Sequence, residues 1–314
     1  MVLVVGTGLI VWGAETFAEH LGRAATRLGV GAFALALLLA GAEPEELATV
    51  VTASLRDAPA IGFGDIIGAN VAVCLVALGL GASMMTLHIS PRVLVYAFCA
   101  VPVSVVGVAL IWDGSLSRLE GAVLVALYAA YVGAIWLFER APPALGEVEE
   151  LREAEEELSG ERAPRQGRVG IELMLVFAGL AGMAVGASLL VEAVRQITDV
   201  ESNQIKLGLT IVGFATAFEL VVLVWSAVRR DAIEVALAGV VGSYGYNLTM
   251  SLGAGALVKP LRISDAASLH VPAVLMLASF FAIVLLALPK RRLDRRAGIG
   301  LLAAYPVYLF VVIL

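Results

Sequence analysis

Residues 41–82 read GAEPEELATVVTASLRDAPAIGFGDIIGANVAVCLVALGLGA, and residues 213–256 read GFATAFELVVLVWSAVRRDAIEVALAGVVGSYGYNLTMSLGAGA. With Arg56-Asp57-Ala58 laid over Arg230-Asp231-Ala232, the following 24 positions align without a gap. Gly68 meets Gly242, Asn70 meets Tyr244, Gly79 meets Gly253 and Gly81 meets Gly255. Upstream, Glu46 meets Glu219 if the second copy carries one extra residue. Shared polar residues at a fixed spacing mark the two stretches as copies of one unit, and an internal repeat constrains the whole architecture.

Composition says where such a unit sits. Of 314 residues 60% are apolar and 15% charged, against about 45–50% and about 25% in ordinary soluble domains. Mean hydropathy is +0.94. Too few polar residues exist to cover a soluble surface, so the chain reads as an all-α membrane protein. A net charge of −6 carries no nucleic-acid signature. Cys74 and Cys99 lie inside apolar runs and read as small core residues. His20, His88 and His270 lie near run ends and read as interfacial or loop residues. The first ten residues lack the basic start of a signal peptide.

Apolar runs cover 1–19, 29–54, 60–84, 92–112, 117–138, 169–193, 205–228, 232–258, 269–289 and 298–314. Each approaches the roughly 20 residues that cross about 30 Å of hydrocarbon, which predicts ten transmembrane helices. They fall into 1–138 and 169–314, five each, around a charged linker at 139–168. An odd number per half makes the second half enter the bilayer from the opposite side, so the fold expected is two inverted-topology five-helix repeats. The loops joining helices 1–2, 3–4, 5–6, 7–8 and 9–10 hold 15 of the 21 basic residues. The positive-inside rule then predicts a cytoplasmic linker and both termini outside.

Inverted repeats place transport sites at the bilayer midplane, where broken helices of each half meet. Gly41-Ala42-Glu43-Pro44 interrupts the second span, because proline removes an N–H and disfavours helix before it. A half-helix is expected to begin near Pro44, and Gly213 marks the equivalent break in the seventh span. Glu43, Glu45, Glu46 and Glu219 lie mid-span, where an acidic residue costs about 2.5–3.5 kcal/mol on insertion scales and is a functional-site hypothesis by default. Glu45 points about 100° from Glu46 on a helix and is expected to serve structure rather than the site. Asp65, near a span start, reads equally as a cap or as a site residue. Ser243 and Asn247, four apart, share one helical face, and their first-copy counterparts Ala69 and Val73 cannot coordinate.

At these repeats the sequence resembles the calcium/cation antiporter superfamily, the membrane region of sodium/calcium exchangers. That family's repeats read G-T-S-x-P-E and, about twenty residues on, G-N-x-I-G-S-x-x-x-N/D. Here GAEPEE (41–46) and GDIIGAN (64–70) stand in the first repeat, and FATAFE (214–219) and GVVGSYGYN (239–247) in the second. The resemblance implies carboxylate ligands at Glu46 and Glu219, a serine ligand at Ser243, an amide ligand at Asn247 and a hydroxyl near Thr216. It departs at Ala42, Glu43, Ala69 and Val73, where neutral oxygens are lost and a carboxylate is gained.

The site expected is a cation site of Glu46, Glu219, Asn247, Ser243, Glu43 and Thr216, in a secondary active antiporter with no catalytic residue and no cofactor. Its cargo would be Ca²⁺ or a similar cation exchanged against H⁺ or Na⁺ by alternating access. Calcium takes six to eight hard oxygens. Crowded carboxylates in low dielectric must hold a cation or take up protons, and the lost neutral oxygens favour the proton as coupling ion. Partners are inorganic cations and membrane lipid, with no nucleic acid and a monomeric or weakly oligomeric state. The rivals are an exchanger-derived cation channel and a non-transporting scaffold. Span centres carry no Ser/His or His/Asp arrangement for an intramembrane enzyme.

Overall fold

A computed structural model describes residues 1–28, 43–139, 169–230 and 233–314. The break at Gly41-Ala42, the first part of the second span and the linker beyond Glu139 lie outside the described residues. The first half contains α1 (Val2–Leu28), α2 (Pro44–Leu55), α3 (Pro59–Met84), α4 (Pro91–Ile111) and α5 (Arg118–Glu139). The second contains α6 (Val169–Ile197), α7 (201–216), α8 (Phe218–Arg230), α9 (233–258), α10 (Ala267–Ala287) and α11 (Arg295–Ile313). Eight described helical segments are long and apolar enough to cross a bilayer; α2 and α9 supply the described parts of the remaining two spans.

Local sequence accounts for the helix starts. Proline opens α2, α3 and α4, where its missing N–H costs nothing and its φ is preset. Ser90 and Asp294 cap α4 and α11 by accepting from the N–H groups of Val93 and Ala297 at 3.3 and 3.0 Å.

The repeat is exact in register across both helix pairs. α2 and α8 begin 174 residues apart, at Pro44 and Phe218. Within α3 and α9, π-helical turns at Val73–Ala77 and Asn247–Ser251 keep the same offset. The extra residue expected in the second copy is absent from this frame, so Glu219 is matched by Glu45, not Glu46. The break in the seventh span is also moved. A π-turn at Gly208–Val212 precedes Gly213, and the regular helix is interrupted again at Ala217, the counterpart of Glu43, where the backbone stays right-handed.

Short antiparallel strand pairs tie the halves together. Leu87–His88 (β1) pairs with Arg292–Leu293 (β4), and Ser115–Leu116 (β2) with Leu261–Arg262 (β3). The 3–4 and 9–10 connections therefore share one face and the 4–5 and 8–9 connections share another. The second face also holds the 2–3 connection, through Lys259–Asp57 at 2.5 Å, and the 6–7 connection, through the Glu201 carboxylate accepting from Ser264 N at 2.6 Å.

Two backbone seams set the packing. α1 and α6 run antiparallel: a Cβ on Gly13 would lie 2.7 Å from the Gly179 carbonyl, and one on Gly179 would lie 2.6 Å from the Gly13 carbonyl. His20 Nδ1 and Glu172 Oε2, 2.6 Å apart, join the same two helices. His270 stacks on Trp112, ring centroids 4.1 Å apart. α3, buried on every side from Ala60 to Ala72, packs parallel to α7. Small residues permit such approaches where hydrophobic force between helices is weak. We predict that Gly13→Leu lowers the thermal unfolding midpoint in detergent, with an overpacking cost of about 1–3 kcal/mol. Gly133→Leu, where a Cβ meets nothing within 4 Å, should leave it unchanged.

Candidate cation site

The site grows from two helix starts inside the membrane. Glu43 precedes Pro44, and Glu45 and Glu46 fill the first turn of α2. Glu219 fills the first turn of α8. The positive end of a helix dipole favours negative charge there. Glu43, Glu45 and Glu46 are 6%, 2% and 0% exposed, and one carboxylate oxygen from each lies within 4.8 Å of the others. Two ligands each about 2.4 Å from one ion are at most about 4.8 Å apart, so this spacing fits a single hard cation. Both Glu46 oxygens are buried without a hydrogen-bond partner among the described residues. An unsatisfied buried charge is costly, so the arrangement asks for a cation or a proton. Glu219, half-buried, lies within electrostatic range of both Glu43 and Glu46.

Glu45, expected to serve structure, belongs to this group by position. Its backbone carbonyl accepts from Thr49 Oγ1 at 2.8 Å, while its carboxylate lies within 4.8 Å of those of Glu43 and Glu46.

A second layer was only partly anticipated. Asp65 is fully buried rather than a surface cap. It sits two turns into α3, and Thr216 Oγ1 donates to its Oδ1 at 2.9 Å across the α3–α7 seam. Asp65 Oδ2 has no partner among the described residues and lies within electrostatic range of Glu46. Thr216 therefore faces Asp65. Asn247 Nδ2 lies 3.3 Å from Asn70 Oδ1 and 3.4 Å from Ser243 Oγ, while its Oδ1 is buried without a partner. Asn70 Nδ2 in turn donates to the Tyr244 carbonyl at 3.3 Å. Asn247 opens the π-turn of α9, and such turns disturb the regular backbone ladder, frequently at functional sites. α2 packs on α3 and on this turn, so glutamates and amides share one region of the core. Ala69 and Val73 are buried and offer no side-chain oxygen. The signals for Asp65 and Asn70 were present in the sequence: a charge and an amide inside an otherwise apolar, glycine-rich span.

Buried carboxylates at helix starts inside a bundle of two repeats fit a membrane cation exchanger. The sodium/calcium exchanger protein family model matches residues 1–137 and 171–314, and this chain belongs to that family. It is a membrane-embedded cation antiporter. It is 25% identical over 317 residues to the Alkalimonas amylolytica protein named "Putative antiporter CaxA", covering 98% of this chain and 97% of that one. It is 24% identical over 311 residues to inner membrane protein YrbG of Escherichia coli K12, covering 98% and 94%. Among solved structures, the sodium-calcium exchanger NCX_Mj superposes with a TM-score of 0.60 at 23% identity, covering 98% of this chain and 97% of that one, which shows the shared fold.

We predict that Thr216→Val destabilises the protein by about 1–3 kcal/mol, the cost of leaving a buried acceptor unsatisfied. Thr216→Ser should restore most of the loss. Thermal unfolding of the purified protein in detergent is the measurement.

Proposed function

We propose that this antiporter exchanges Ca²⁺, or a similar hard cation, for protons. The observation that carries the reading is the trio Glu43, Glu45 and Glu46, whose carboxylate oxygens converge within 4.8 Å in the buried core. With Glu219 opposite, the trio supplies the hard oxygen charge that a divalent cation selects. Ser243, Asn247 and Thr216 add the neutral oxygens, all from the second half.

The choice of proton over sodium rests on what the first half lacks. Ala42, Ala69 and Val73 stand where the family resemblance implies oxygen ligands. Holding several sodium ions at once needs several complete oxygen shells. Returning the empty carrier needs only that the crowded carboxylates be neutralised, and protons on glutamates accomplish this without further ligands. Alternating access would come from movement of α1 and α6 past the core, with the site fixed.

The deciding experiment is cation uptake into sodium-free proteoliposomes driven by an imposed pH gradient, with membrane potential clamped. Uptake is expected in that condition. Uptake appearing only with a sodium gradient would overturn proton coupling and leave antiport standing. Glu219→Gln, which keeps shape and removes charge, should insert normally and reduce coupled flux by more than about tenfold, since a full charge beside a bound cation is worth well over that factor. Leak through the protein without counterflow would favour a channel.

The same reading places both termini outside and the 139–168 linker in the cytoplasm, supported by the basic residues on the linker's side and by loop pairings that alternate between the two faces. A cysteine introduced in the linker should resist an impermeant thiol reagent in intact cells. Labelling there would reverse the orientation.

A further inference from the structure

Outside the site, α1 carries an acidic residue at mid-span. Glu15 is the centre of α1, with more than three turns of helix on either side. A carboxylate at that depth costs about 2.5–3.5 kcal/mol on insertion scales. Among the described residues no hydrogen bond or ion pair holds it, and its side chain is exposed. The α1–α6 seam lies on Gly6, Gly13, Gly179 and Gly186, so Glu15 is not needed for that packing.

What Glu15 faces is a cavity of about 1420 Å³ between α1, α7 and α11. One end is bordered by Thr198, in the connection between α6 and α7, by Asn203 in the first turn of α7, and by Leu3 and Ile313, so it opens at the face that carries the chain termini. Thr7 and Glu15, two turns apart on one face of α1, and Thr210 on α7 give the otherwise apolar wall its polar track. Lys206, also on the wall, is turned to the end of α11, where its Nζ donates to the Ile313 carbonyl at 2.7 Å. At the inner end, Phe214 and Phe218 line the cavity. Phe218 is the immediate neighbour of Glu219, and Phe214 is two residues from Thr216. Glu15 is also near enough to Glu45 for the two carboxylates to repel.

The cavity thus leads from one membrane face to a carboxylate that lies within electrostatic range of Glu45, one of the buried trio. We propose that Glu15 is the entry ligand for the transported cation, meeting the ion inside this cavity and passing it to Glu45 and Glu43. The inference rests on the antiport reading above. In it, α1 has two duties. It slides with α6, and it brings the carboxylate that draws a cation out of water toward a site that a purely apolar wall would screen. The second half has no equivalent. Laying Gly6 and Gly13 over Gly179 and Gly186 puts Ser188 opposite Glu15, so the device serves one face only.

Sidedness is therefore the test. In proteoliposomes of defined orientation, E15Q should raise the half-saturating Ca²⁺ concentration at the face bearing residues 198–203 by about tenfold. That is the effect of removing a unit charge acting over roughly 10 Å in a partly solvated cavity. Half-saturation from the linker face should stay at the wild-type value, and E15D should recover most of the loss. An unchanged value at both faces, or an equal change at both, would overturn the proposal. An independent reading comes from E15C in a C99S background, probed with a cationic methanethiosulfonate. Labelling from the 198–203 face, slowed by Ca²⁺, is expected. A thiol that reacts only with a membrane-soluble maleimide would show a lipid-filled cavity and overturn the proposal, whether or not transport is measured. Absence of coupled flux in the wild type, with E15C still labelled and protected by Ca²⁺, would refute the antiport reading and leave the cation path in place.

Discussion

Carboxylates gathered in a medium that cannot solvate them are the constraint on which the rest of this molecule depends. Glu43, Glu45, Glu46 and Asp65 are all nearly or fully buried, and Glu219 stands close by. Left alone, such a group repels itself and the protein around it. The fold answers with helix starts in the middle of the membrane, whose free N–H groups and positive dipole ends face the negative charge. It leaves the remaining imbalance for a cation or proton to settle. A site that needed no ion would also have no reason to exchange one.

The frame around this group is symmetric and its chemistry is not. A helix start, a π-turn and a strand recur 174 residues apart with no slippage from Pro44 to His88 and from Phe218 to Arg262. Onto this frame the first half hangs most of the negative charge, and the second half hangs the hydroxyls and the unpaired amide oxygen of Asn247. Equal backbones with unequal side chains therefore surround the site with different chemistry on its two sides.

Much of the fold was legible because membrane burial leaves a coarse signal. Runs of about twenty apolar residues, their number per half and the charged interval between them yield the inverted layout without any detail of packing. The glutamates were legible for the same reason: charge is conspicuous in an apolar span. What was harder to read depended on register. Matching Glu46 to Glu219 needed an extra residue that the helices do not contain, and the error hid Glu45. Placing the second break at Gly213 followed glycine's reputation, whereas the regular helix is interrupted on either side of it, by the π-turn at Gly208–Val212 and at Ala217, opposite Glu43. Asp65 was ambiguous because depth along a helix is not fixed by distance from a span's approximate start. Only its contact with Thr216 across two closely packed backbones shows that it belongs inside.

The paired strands and the glycine seam have a consequence for how such a molecule arises. Each strand pair takes one strand from each half, and among the described elements α1 packs mostly on α6 of the other half. The halves therefore grip one another through reciprocal surfaces, as two subunits of a dimer would. A single five-helix polypeptide able to insert in either orientation would already possess both surfaces. Duplication and fusion of its gene would then fix one copy in each orientation, and from that moment the two copies could diverge, one toward acids and the other toward amides and hydroxyls.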